Sequence, residues 1–63
     1  MSNYDTALER ATDVFGDEKR AERWLDKMSR TFGKSPKEIL SDQDGLDRVL
    51  RHLQSVDIAL NTD

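Results

Sequence analysis

From Arg20 to Leu40 the chain reads RAERWLDKMSRTFGKSPKEIL, and this stretch leaves little choice of fold. Ala21, Trp24, Leu25 and Met28 recur at i, i+3, i+4 and i+7, one stripe of an amphipathic helix expected to end near Arg30. Gly33 is free to adopt the positive φ that closes a helix. Ser35-Pro36-Lys37-Glu38 then supplies a new start. Ser35 is a capping residue, Pro36 suits the first helical position, and Glu38 is placed to complete a capping box. A helix, a turn and a second helix start thus follow in succession, and the single tryptophan and single proline of the chain lie among them.

The flanks repeat the helical pattern. Ala7, Leu8, Ala11, Val14 and Phe15 form a core-facing stripe of a first helix over about Asp5 to Phe15, with Met1 to Asn3 frayed and Gly16 as its stop. Glu9, Arg10, Thr12 and Asp13 are expected to face water. Asp17 is the expected N-cap of the second helix, with Glu18 near its positive end. A short third helix carries Ile39 and Leu40. A fourth, capped by Ser41 or Asp42, carries the longest apolar stripe: Leu46, Val49, Leu50, Leu53, Val56 and Leu60. No strand-like alternation, internal repeat or low-complexity linker is present. The expected fold is all-α: a compact bundle of three to four short helices with a longer C-terminal helix, one domain over 1–63 with its ordered part at about 5–60.

Size and charge narrow the function classes. A chain of 63 residues builds only a thin core, and with no cysteine it has neither a disulfide nor a thiolate metal site to support it. Good helix packing or a partner chain must supply the rest. The net charge of −3 counts against a free duplex-DNA-binding domain, which is usually basic. Residues 18–37 are locally basic, with seven cations against three acids; a mixed solvated face explains this, and a docking face for an acidic partner is the sharper alternative. No apolar run has the length of a signal peptide or a membrane span, so a cytoplasmic protein is expected.

No constellation for catalysis stands out. His52 is the only histidine, and on a charged helix it reads as a surface residue, with Ser55 and Asp57 too close on one helix to converge on a substrate. Asp42, Asp44 and Asp47 lack the twelve-residue loop and terminal glutamate of a calcium site, and capping explains them. Gly33-Lys34-Ser35 is only the tail of a phosphate loop, without its first glycine or the preceding strand. Trp24 and Phe32 could stack bases, but Trp24 lies on the apolar stripe and reads as core. No catalytic residue, metal site or cofactor is expected.

The order of these motifs carries a resemblance. Ala11-x-x-Val14-Phe15-Gly16 is followed by Ala21-x-x-Trp24-Leu25, then Phe32-Gly33-x-Ser35-Pro36-x-x-Ile39-Leu40, then Gly45-x-x-x-Val49-x-x-x-Leu53. The set, running from about Ala7 to Leu60, resembles the toxin-binding domain at the C-terminus of Xre/MbcA/ParS-type antitoxins. The resemblance implies a non-catalytic module of a bacterial type II toxin–antitoxin pair. Its usual partner is a RES-type toxin that destroys NAD, blocked through the C-terminal helices and tail of the antitoxin. It implies a toxin-facing surface on the outer side and end of the last helix: Arg48, Arg51, His52, Ser55, Ile58 and Leu60.

The chain also departs from the family pattern. A helix-turn-helix domain commonly precedes this one, and here only a few residues lead, so DNA binding by this chain alone is not expected. Met28-Ser29 and Phe32-Gly33-Lys34 stand where the family often has Pro-Asn and Leu-Gly-Gly, and Ser55 to Leu60 lacks the glycine that often follows the last helical leucine or isoleucine. Two alternatives remain open: a small nucleic-acid-binding domain, with Arg30, Lys34 and Lys37 on phosphates, and a self-associating scaffold that buries the last helix against a second copy.

Overall fold

The computed structural model describes residues 2–61. Its elements are α1 (Asn3–Phe15), α2 (Glu18–Asp26), one 3-10 turn (Pro36–Ile39) and α3 (Gln43–Leu60). The all-α bundle with a longer C-terminal helix is the architecture that forms. Among the described residues the only extended pairing is an isolated bridge between Ser29 and Lys34. No helix among them is long and apolar enough to cross a membrane.

Each start has a local cause. Ser2 caps α1: its Oγ accepts from the Asp5 amide at 3.1 Å, and the Asp5 carboxylate accepts from the Ser2 amide in return. The helix therefore begins two residues earlier than the expected Asp5, and Asn3 is not frayed. Its Nδ2 donates to the Leu40 carbonyl at 2.8 Å, pinning the start of α1 to the segment before α3. Gly16 ends α1 at φ 74°. Asp17 caps α2 through the Lys19 amide, and Asp42, not Ser41, caps α3 through the Gly45 amide at 2.7 Å.

The second helix is shorter than its stripe suggests. It ends at Asp26, because Lys27 turns extended at ψ 138°. The following loop closes on itself, the Ser29 amide donating to the Lys34 carbonyl and the Gly33 amide to the Ser29 carbonyl. Those bonds satisfy backbone groups that another helical turn would have used. Gly33, at φ 75°, thus closes a loop and does not terminate a helix. Met28, left outside the helix, is 73% exposed and is not a core residue.

The third helix is a single 3-10 turn, not an α-helix. The Glu38 carboxylate accepts from both the amide and the hydroxyl of Ser35, each at 2.9 Å, and these bonds hold its pKa below the ordinary carboxylate value. Lys37 reaches back to Asp26 at 2.9 Å and joins this turn to the end of α2.

The core is built from Ala7 and Ala11 of α1, Ala21 and Leu25 of α2, Leu40, and Leu46, Val49 and Leu53 of α3. The three alanines, Ala7, Ala11 and Ala21, are small enough to let the helix backbones approach closely. Burying a leucine or valine here contributes about 2 kcal/mol each. Tyr4, Leu8, Val14, Phe15, Trp24, Phe32, Ile39 and Leu50 pack around that centre, partly buried. Arg10 and Thr12 of α1 are also half-buried and not fully solvated. The expected stripe of α3 leaves the bundle after Leu53: Val56 is half-buried and Leu60 is 61% exposed. With 18 residues, α3 sets the long dimension of a 34 × 22 × 18 Å molecule.

Candidate partner-binding face on α3

Arg48, Arg51, His52 and Ser55 recur at i, i+3, i+4 and i+7, so they share one side of α3, turned away from Val49 and Leu53. The α2–3-10 loop rises beside them. Together with Thr31 and Phe32 from that loop, these four side chains line a shallow hollow of about 270 Å³. Its lining contains two guanidinium groups, an imidazole, two hydroxyls and a phenyl ring, and no carboxylate.

His52 is the fixed point of the hollow. Its ring stacks on the Trp24 indole, with centroids 5.7 Å apart and planes 14° from parallel. Phe32 meets the same ring edge-on at 5.3 Å and 74°. Phe15 leans on the other part of this group, its ring 6.0 Å from that of Trp24. The histidine is therefore half-buried in an aromatic group drawn from α1, α2, the loop and α3, and not the plain surface residue its charged neighbours suggest. Trp24 is likewise half-buried: it packs on the core from outside and supports His52, while Leu25 takes the fully buried place.

The arginines differ in how they are held. Arg10 of α1 donates to the Gln54 side chain at 2.9 Å and lies 3.9 Å from Asp57, tying α1 to the back of α3. Arg48 and Arg51 are exposed and take part in no ion pair among the described residues. The Ser55 hydroxyl donates to the Arg51 carbonyl at 3.3 Å, a bond within the helix.

Ile58 and Leu60 lie beyond the hollow, toward the end of α3. Ile58 continues the line of Arg51 and Ser55, and Leu60 continues the core line of Val49, Leu53 and Val56. They are 57% and 61% exposed, and with Met28 they are the exposed large apolar side chains among the described residues. The structure thus brings four of the six expected residues into one hollow and leaves the other two as an apolar end. Thr31 and Phe32 also line that hollow, and helical spacing on α3 gave no sign of either. The only hint was an aromatic residue directly before a turn glycine.

A second hollow, of about 290 Å³, lies between α1 and α3 and is lined by Thr6, Glu9, Arg10, Asp13 and Leu50. It contains none of the expected residues. No group of three or more histidine, cysteine, aspartate or glutamate side chains among the described residues is arranged to hold a metal ion.

Residues 10–57 match the family described as the antitoxin Xre/MbcA/ParS C-terminal toxin-binding domain. The matched span takes in the second half of α1, all of α2, the loop, the 3-10 turn and α3 as far as Asp57. It covers the whole hollow and stops one residue before Ile58. No curated protein and no solved structure matches the chain.

Proposed function

We propose, since this chain belongs to the antitoxin Xre/MbcA/ParS C-terminal toxin-binding family, that it is a non-catalytic module that binds a RES-type, NAD-degrading toxin and blocks access to its active site in the bacterial cytoplasm. The binding face in this reading is the outer side and end of α3: Arg48, Arg51, His52, Ser55, Ile58 and Leu60. The observation that carries it is the pairing of the family match with two large apolar side chains exposed at the end of α3. Partly covered apolar anchors beside a polar surface are what a partner buries at the centre of an interface. A module of this kind acts by shape and contact, so it needs no cofactor and no metal.

The test is co-expression with the product of the neighbouring gene. The expected result is a co-purifying complex and relief of toxicity. A neighbour without a RES-like fold, or the absence of any complex, contradicts the proposal.

The nucleic-acid alternative loses its main element. A helix-turn-helix reads a groove with its second helix. The corresponding segment here is the four-residue 3-10 turn Pro36–Ile39.

A further inference from the structure

We infer that the hollow formed by Thr31, Phe32, Arg48, Arg51, His52 and Ser55 is a carboxylate-docking site that takes an Asp- or Glu-bearing segment of the toxin; the inference rests on the toxin-binding reading above and adds the chemistry of the contact. The chain is acidic overall, with 13 acids against ten bases, yet no acid lines this hollow. Arg10 pairs with Asp57 and Lys37 with Asp26 on the protein itself. Arg48 and Arg51 take part in no ion pair among the described residues, and they are the two cations that line this hollow. Three apart on one helix, both line the same hollow, and a guanidinium group grips a carboxylate through paired N–H donors.

The walls of the hollow are also set in advance. His52 is held between Trp24 and Phe32, so the ring beside the arginines does not have to be ordered when a partner arrives. The hollow on the α1 side carries Glu9 and Asp13, so one helix presents an acid-free basic recess on one side and an acid-bearing recess on the other. That contrast fixes the side on which an acidic segment docks. A nucleic-acid backbone fits less well, because a chain of phosphates needs a run of cations along a groove and the lining here supplies two guanidinium groups.

The test uses the full chain and two probes. Amide and arginine side-chain NMR shifts are followed while hexaglutamate, and separately a short DNA duplex, is added at low and at high salt. The expected result is saturable, salt-sensitive movement of Thr31, Phe32, Arg48, Arg51 and Ser55 with hexaglutamate, absent in Arg48→Glu/Arg51→Glu. No saturable movement, or movement spread evenly over Lys19, Arg20 and Arg23, overturns the inference. Stronger movement of the hollow by the duplex overturns it in favour of a phosphate ligand.

The same variant is then titrated with the toxin from the neighbouring gene. An affinity loss of about tenfold for each arginine reversed, with a flatter salt dependence, is expected. Because both side chains are exposed, the variant should retain the wild-type circular dichroism spectrum; Arg48→Gln/Arg51→Gln serves as the milder control. A toxin complex indifferent to these changes overturns the inference and leaves toxin binding intact. Hexaglutamate seated in the hollow with no toxin complex at all overturns the toxin reading and keeps the carboxylate site.

Discussion

The indole of Trp24 and the imidazole of His52 lie face to face, 5.7 Å between centroids, and this stack joins α2 to the outward side of α3. It makes one element of the proposed binding face part of the packing of the domain. Residues that hold the fold and residues proposed to meet the partner are therefore neighbours on the same ring system.

This coupling has a measurable consequence. Trp24→Ala is expected to lower stability in urea unfolding by about 2–4 kcal/mol, since it removes a large side chain packed on the core. His52→Ala is expected to cost about 1 kcal/mol through loss of its contacts with Trp24 and Phe32. The double variant should fall short of the sum by about 0.5 kcal/mol. Strict additivity, or no effect from His52→Ala, would mean that the stack contributes nothing.

Gly45 gives the sharpest single-atom prediction. It lies buried in the first turn of α3, and a Cβ there would run into the backbone carbonyl of Ile39. In an open helix glycine-to-alanine gains up to about 1 kcal/mol. Here the clash is with backbone, which cannot swing away, so Gly45→Ala is expected to destabilise by about 1–3 kcal/mol. Thermal melting decides the sign.

The 3-10 turn sets the response to pH. Hydrogen bonds from Ser35 hold the Glu38 carboxyl below its ordinary value of 4.5, so its contribution is present above that pH and is lost as pH falls through the depressed value. Lys37 is raised above 10.5, first by its hydrogen bond to Asp26, so its contribution is present below that pH and fades as pH rises through the raised value. Tyr4 is raised above 10.0, chiefly by burial and then by nearby acids, and acts in the same direction. The melting temperature is therefore expected to fall on both flanks. Glu38→Gln should remove part of the acid limb alone, and Lys37→Met part of the alkaline limb alone. A swap of these assignments would contradict the geometry.

Much of the fold was legible because it rests on local rules. The pairs Ala7/Ala11 and Ala21/Leu25 and the triplet Leu46/Val49/Leu53 follow helical spacing, and Gly16, Asp17 and Asp42 act where their chemistry places them. The misreadings fall where something other than a helix's own spacing decides. Met28 continues the stripe of α2 in sequence, but the helix has already ended, and neither glycine nor proline marks that point. Leu60 continues the stripe of α3 past the place where the bundle covers it. The surroundings of His52 come from α1, α2 and a loop, so no spacing on α3 announces them. Four members of the proposed face were readable as one side of a helix, whereas Thr31 and Phe32 needed the loop to fold back first.

The apolar end of α3 should separate binding from folding. Ile58→Asp and Leu60→Asp change side chains that are 57% and 61% exposed, so each is expected to move stability by less than about 0.5 kcal/mol. Each is expected to weaken the toxin complex by about tenfold or more, through loss of an apolar anchor and burial of a charge. Unfolding and titration calorimetry run side by side resolve the two effects.

The most direct measurement is the rate of NAD hydrolysis by the proposed RES-type partner toxin as this chain is added. Loss of activity that is complete near one equivalent, and is not reproduced by an equally stable chain carrying Ile58→Asp and Leu60→Asp, is the predicted result. Full activity with the wild-type chain in large excess would contradict it.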